Sequence, residues 1–198
     1  MDIKKIMEER YAVKAFDETK KVSEEQLTKI KEMIKQAPSS FGLQPFKIKI
    51  ISDKDTKKKL LPATWNQAQV ISCSHLLIFC SDTKVSERIN KYQTMLEETG
   101  FPKEKAEIYT NMMRDFAKNT PKEKLEVWSG QQAFIALDHA MLGAQSLGIY
   151  SCPMGGFNAS EYKKILELPE NLNPLVLLPI GYPADKPKPK VRYNDLFI

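Results

Sequence analysis

TPKEKLEVWSGQQAFIALDHAMLGAQSLG, Thr120 to Gly148, is the stretch around which the rest of the chain can be organised. Thr120 reads as an N-cap, Pro121 as the first helical residue and Glu123 as the acid that reaches back to complete a capping box. No further proline interrupts it before Gly148, so the spacing predicts one helix over 121–148, about 28 residues and ~40 Å long at 1.5 Å per residue. Leu125, Trp128, Phe134, Ile135, Leu137, Ala140, Met141, Leu142 and Ala144 fall on more than one face of it, mostly in its second half. A helix that is apolar most of the way round has to be buried on several sides. In a domain of 198 residues, that is easiest if a second subunit supplies one of those sides.

Upstream, Asp2 caps a short helix over about residues 2–9 with Ile3, Ile6 and Met7 at helical spacing. Ser23 and Gln26 form a capping box for a helix whose face is Leu27, Ile30, Met33 and Ile34 and which ends before Pro38. Phe46–Ile51 alternates and is β-branched, a strand with a wetter face at its start. Asp53 caps a helix running through Leu61, and residues 66–73 are a further helical piece. Leu76-Leu77-Ile78-Phe79-Cys80 is continuously apolar, the pattern of a strand covered on both sides. Residues 82–120 are polar and mostly helical, with Ala106, Tyr109, Met112, Met113 and Phe116 as a core or interface stripe. Downstream, Asn158 caps a helix with Glu161 three residues later, and Leu175–Gly181 is a third strand. This order does not alternate as a doubly wound fold would, and no linker or repeat divides it, so the expectation is one α+β domain over 1–198.

Composition narrows the function. With 42% hydrophobic and 28% charged residues the chain is globular rather than disordered. The N-terminus lacks an apolar signal segment and no run approaches the ~20 residues of a membrane span, so the expected address is the cytoplasm. Three cysteines without CxxC spacing and two histidines offer little to a disulfide framework, a metal site or a Ser-His-Asp triad. The net charge of +5 asks for an anion. Most lysines, including Lys57 to Lys59, read as solubilising surface beside acids. Two groups differ: Arg10 and Lys14, with no acid between them, and Lys186, Lys188, Lys190 and Arg192, a tail kept extended by Pro183, Pro187 and Pro189. No aromatic interleaving suits nucleic acid, so a phosphate monoester held between the two groups is the economical reading.

Four polar or glycine-rich clusters remain once the core is assigned: Arg10 to Lys14, Pro38 to Gln44, Pro153 to Gly156, and Lys190 with Arg192. No dinucleotide fingerprint or P-loop is present. In order and spacing these clusters resemble the nitroreductase family of FMN-dependent NAD(P)H oxidoreductases, of the small bacterial nitroreductase and dihydropteridine reductase branch. The resemblance is carried by Arg10-Tyr11-Ala12-Val13-Lys14-Ala15-Phe16, Ala37-Pro38-Ser39-Ser40 with Gln44-Pro45-Phe46, Asn66, Pro153-Met154-Gly155-Gly156-Phe157 and Lys190-Val191-Arg192.

The resemblance implies a sandwich with a small, mostly antiparallel sheet flanked by helices. It also implies a homodimer with the 121–148 helix in its interface and a C-terminal tail crossing to the partner. It implies FMN held non-covalently by Arg10, Tyr11, Ala12, Lys14, Pro38, Ser39, Ser40, Gln44, Asn66, Pro153, Met154, Gly155, Gly156, Lys190 and Arg192. Arg10, Lys190 and Arg192 are the types that make charge-assisted hydrogen bonds to phosphate. Lys14 would stabilise the negative charge of the reduced flavin, and no protein acid or base is obligatory. Phe41 and Phe116 would line the acceptor side. Relatives often carry an acid where Gly155 stands and a lysine where Gln69 stands, so neither residue receives a role. The implied activity is ping-pong hydride transfer from NAD(P)H to nitroaromatic, quinone or pterin-like acceptors. The alternatives are a specialised flavoenzyme performing reductive dehalogenation or flavin cleavage, and a non-catalytic anion-binding module. Neither a metal, a nucleic acid nor a membrane belongs to the expectation.

Overall fold

The computed structural model describes residues 2–197. Its centre is an antiparallel sheet of four strands in the order β1-β2-β4-β3: β1 Phe46–Ile51, β2 His75–Asp82, β3 Tyr150–Ser151 and β4 Leu172–Gly181. β2 is buried at all eight positions, as its continuous apolar run requires. Its side chains alternate between two layers. Leu77 and Phe79 pack against α2 (Glu24–Lys35) and α7 (Lys122–Ser146). Leu76, Ile78 and Cys80 face a second core with Leu60, Val70 and Tyr162, drawn from α3 (Lys54–Leu60), α4 (Ala68–Ser72) and α8 (Ala159–Ile165). The register shifts between Phe79 and Cys80, where Pro174 of β4 falls opposite Cys80 and donates nothing to the ladder. β1 is an edge strand, and Lys47 and Lys49 keep one side of it wet.

The caps expected at Asp2, Ser23, Asp53 and Asn158 are all present, each accepting a backbone N–H in the first turn of its helix. α1 (Ile3–Glu9) carries residues 10–17 to the sheet, and residues 82–120 fold mainly into α5 (Val85–Glu98) and α6 (Lys103–Asn119). Arg114 clamps that pair by donating to Asn90 and Gln93 at 3.0 and 2.8 Å.

Two expectations are corrected. Thr120 does not open α7: it ends α6, and its hydroxyl donates back to the Phe116 carbonyl at 2.7 Å. Pro121, with ψ at 144°, occupies the cap position without a side-chain bond, because the two helices follow too closely for Thr120 to serve both. Lys57 is not surface. It is 2% exposed, and its ammonium donates to the Cys73 carbonyl at 2.7 Å, capping α4 from inside the second core. Its neighbours Lys58 and Lys59 are exposed as expected.

α7 packs its small residues Ala133, Ala136, Ala140 and Ala144 on the sheet. Within one chain it also leaves Val127 and Phe134 at 62% and 50% exposure. The multi-sided apolar pattern is therefore real and only partly covered.

Candidate functional site

The segment 10–17 and the chain after β4 run antiparallel, and this pairing builds the site. Asp17 N–H donates to the Tyr182 carbonyl and Ala184 N–H to Ala15, each at 2.8 Å, with a bridge between Phe16 and Pro183. Asp185 then accepts from the Lys14 backbone N–H at 2.8 Å and from the Tyr11 hydroxyl at 3.3 Å. Burial, followed by the Asp185 charge, pushes the Tyr11 hydroxyl up to about 12, so it remains a donor. Farther along, the Lys190 ammonium donates to the carbonyls of Met7 and Glu8 at 2.7 and 2.5 Å, closing the end of α1. Prolines at 183, 187 and 189 hold the tail extended enough to stay in step.

The result is a cavity of about 290 Å³ lined by Arg10, Tyr11, Lys14, Asp185, Lys190 and Arg192, among others. Arg10, Lys14, Lys190 and Arg192, expected to meet at one anion, do line it together. Two features suit a phosphate. One guanidinium nitrogen of Arg10 is buried without a hydrogen-bond partner, a donor left free. Lys190 is held below the ordinary lysine range, first by burial and then by the Arg10 and Arg192 charges, a crowding that a dianion would relieve.

The same segment reaches the 153–156 loop. Ala12 bridges Ser151, and the Lys14 ammonium lies 3.7 Å from the Cys152 sulfur. Burial raises the Cys152 thiol despite Lys14, so it is a neutral neighbour rather than a nucleophile. Met154 is in the core, with its N–H and C=O both paired to Leu177, which leaves Pro153, Gly155 and Gly156 as the groups the loop presents. Gly156 accepts at its carbonyl from Gln67 Nε2 at 3.0 Å, which brings the Trp65–Gln67 turn, and Asn66 with it, alongside. Gln69, on α4, is buried.

The Pro38–Gln44 loop stands apart. Ser40 N–H donates to Gln132 on α7 at 2.9 Å, and the Gln44 amide donates to the Lys35 carbonyl at 2.9 Å. Among the described residues no hydrogen bond joins this loop to the segments at Arg10 or Gly155. Phe41 and Phe116, the expected acceptor-side pair, do touch, with ring centroids 5.4 Å apart. Five non-glycine residues among those described have positive φ, and four of them lie in these loops: Phe41, Gln44, Trp65 and Asn66. Such conformations cost about 1–3 kcal/mol each and gather where geometry serves a ligand. Trp65, Gln67 and Asp185 were not among the expected site residues. The lone acid ahead of the basic tail was the available sign for Asp185; Trp65 and Gln67 had none.

The nitroreductase family model matches residues 7–182, which includes all these segments except the chain from Pro183 onward, Asp185 and the basic tail with it. The chain belongs to the nitroreductase family. Among relatives of this nitroreductase, one from Staphylococcus haemolyticus, named "Putative NAD(P)H nitroreductase SH0546", is 34% identical over 195 residues, covering 92% of this chain and 89% of the relative. Bacillus subtilis YfkO, with the same description, is 32% identical over 197 residues, with the same coverages. A nitroreductase structure from Exiguobacterium sibiricum, described as a complex with FMN, is 26% identical with a TM-score of 0.91 over 98% of this chain and 93% of that one. A Staphylococcus epidermidis structure described as an NAD(P)H:FMN oxidoreductase superposes with a TM-score of 0.94 over 100% and 95%, and at 23% identity speaks for the fold alone.

Proposed function

We propose that this chain is an FMN-dependent NAD(P)H oxidoreductase acting on nitroaromatic, quinone or pterin-like acceptors. The observation that carries the reading is the cavity in which six cations meet, one of them Arg10 with an unpartnered guanidinium nitrogen. The chemistry FMN supplies when bound is hydride transfer in two successive half-reactions, from NAD(P)H and then to the acceptor. Arg10, Lys190 and Arg192 bind its phosphate, and Tyr11 and Ala12 form the wall beside it. Lys14, between this cavity and the 153–156 loop, offers positive charge where the reduced ring system needs it. Asn66, Pro153, Gly155 and Gly156 make short polar and backbone contacts to the ring.

The working unit is a homodimer. Pro38, Ser39, Ser40, Gln44, Phe41 and Phe116 belong to the site by the family resemblance yet lie apart from the cavity within one chain, so a second copy brings them to it. Val127 and Phe134 on α7 supply apolar area for that contact, and β1 offers a free edge. The tail is tied to its own chain as far as Lys190. What crosses is therefore the segment from Tyr193 to Phe197, where Tyr193 and Phe197 are each more than 80% exposed. Extended, five residues reach ~17 Å.

The purified protein is expected to be yellow, to bleach with NADPH or NADH under nitrogen, and to recover colour with nitrofurazone, menadione or a dihydropteridine. Colourless protein that takes up no FMN refutes the reading in favour of an anion-binding module. Yellow protein inert toward all three acceptors points to the specialised chemistry. A flavin-loaded monomer in light scattering removes the dimer.

A further inference from the structure

Lys14 lies between two places where its charge counts. It lines the basic cavity with Arg10, Lys190 and Arg192, and its ammonium meets Cys152, the residue that opens the 153–156 loop. Its backbone is fixed: the Lys14 N–H donates to one Asp185 oxygen at 2.8 Å, and the other takes the Tyr11 hydroxyl. Its side chain is exposed, so packing does not settle where the long flexible stem carries the charge. Among the described residues the ammonium forms no ion pair, and its one hydrogen-bond partner is the Cys152 sulfur, at 3.7 Å. That sulfur is firmly placed. Cys152 is 1% exposed in the second core, and its N–H donates to the Pro179 carbonyl on β4 at 3.1 Å. On either side of it, Ser151 accepts from the Val13 N–H at 3.3 Å and Met154 is paired twice with Leu177. The side chain of Gln69, buried on α4, reaches the same sulfur. Burial keeps the thiol protonated, with its S–H toward the Pro153 carbonyl at 4.0 Å, so what it offers Lys14 is a weak, uncharged acceptor.

We propose that Cys152 is a positioning residue: its neutral thiol, fixed by β4 and Gln69, holds the Lys14 ammonium at the 153–156 loop and away from the phosphate cavity without pairing its charge. The assignment rests on the oxidoreductase reading. It names what decides how Lys14 divides its charge between the two ends of the cofactor. A carboxylate or a thiolate in this place would hold the ammonium more firmly, and would cancel the positive charge that the reduced ring system needs. A purely apolar side chain would let the ammonium go, and a phosphate dianion in the cavity would draw it there. A neutral sulfur avoids both outcomes. It also uses only one of the three ammonium hydrogens and leaves two for the ring.

The test measures two equilibrium quantities on the FMN-loaded protein: the midpoint potential of the bound flavin, by equilibration with redox dyes, and the Kd of oxidised FMN. The variants are Cys152→Ala, Cys152→Val, Cys152→Ser, Lys14→Met, and Lys14→Met combined with Cys152→Ala. Cys152→Ala and Cys152→Val should each weaken binding of reduced relative to oxidised FMN about tenfold, a fall of about 30 mV for a two-electron couple. Oxidised FMN should bind both as tightly as it binds the wild type or more tightly, because the freed ammonium joins the phosphate cavity. Cys152→Ser keeps a neutral acceptor and should stay within about threefold of the wild type in both quantities. Lys14→Met should lower the potential by itself, and adding Cys152→Ala should move it no further, because the thiol acts only through the ammonium. An unchanged potential in either Cys152→Ala or Cys152→Val, with FMN bound, overturns the assignment. So does an equal fall in the Lys14→Met background, or oxidised FMN bound more than about threefold more weakly by both variants, either of which would make Cys152 a support of the loop alone. A wild type that binds no FMN removes the oxidoreductase reading itself, whereas a flavin-loaded protein with an unmoved potential removes only this one.

Discussion

Replacing Arg10 with methionine is expected to weaken FMN binding sharply without destabilising the flavin-free protein. One guanidinium nitrogen of Arg10 is buried and unpartnered, while the chain's own carbonyls already occupy Lys190. An unmade hydrogen bond of this kind costs about 1–3 kcal/mol, and a made bond to a charged partner contributes about 1.5–3 kcal/mol. At 1.4 kcal/mol per tenfold, Arg10→Met should raise the FMN Kd by about 10- to 150-fold. The same change removes an orphaned donor, so thermal unfolding of the apoprotein should occur at an equal or higher temperature. Methionine retains much of the aliphatic stem, so packing is largely conserved. The assay is quenching of flavin fluorescence on titration of apoprotein, with riboflavin as the ligand that lacks the phosphate. Wild type and variant should bind riboflavin alike, and the exposed-site variant Lys59→Met should bind FMN as the wild type does. An Arg10→Met Kd within threefold of wild type, or an equal loss with riboflavin, would show that the phosphate lies elsewhere. A lower unfolding temperature with unchanged affinity would make Arg10 a structural residue.

Lys57→Ala should cost about 2–3 kcal/mol by urea unfolding, whereas Lys59→Ala stays within about 0.5, because only Lys57 is buried and hydrogen-bonded. His75 is 6% exposed and held below the usual histidine range by burial, so the folded state takes up its proton at a lower pH than the unfolded chain, which protonates near pH 6.5. Stability should therefore be complete above that pH and fall as the pH drops below it, by up to about 1.4 kcal/mol per unit. His75→Gln should flatten the slope in that window. In Gly143→Ala the added carbon would stand 2.7 Å from Met33 Sδ and 3.2 Å from its Cβ. A helix-propensity gain of about 1 kcal/mol is then outweighed by overpacking of about 1–3. A net loss near 1 kcal/mol should reverse sign in a Met33→Ala background, as a double-mutant cycle would read.

Local signals made the helices legible. Ser23 with Gln26, Asp53, and Asn158 with Glu161 announce their helix starts within four residues, and each is found in place. β2 was readable because a strand covered on both faces must be apolar throughout. The two misread sites, Thr120 and Lys57, failed for one reason. Each has the right neighbours in sequence, and its bonding was decided by a carbonyl that another helix left free: Phe116 for one, Cys73 for the other. For the site, residue types near Arg10 and Lys190 suggested an anion, and the resemblance supplied the rest. What the sequence could not show is the antiparallel register that sets Lys14 against Asp185 and the end of α1 against Lys190, because those partners are some 170–180 positions apart. Trp65 escaped notice because a left-handed turn at a tryptophan leaves no compositional trace.

The order β1-β2-β4-β3 has a consequence for how the protein is made. β2 ends at Asp82, and the strand that covers its second edge starts only at Leu172. With synthesis at about 5–20 residues per second, the nascent chain carries the strand that is buried throughout in the finished fold with one edge unpaired for about 5–20 s. α2 and β1 are available early, but α7, which closes the first core, and β4 both arrive late. Through that interval β2 is the segment a chaperone would most usefully shield. A change that slows the pairing of β4, such as disturbing the Pro174 irregularity, should lower the yield of soluble protein well before it alters the finished enzyme.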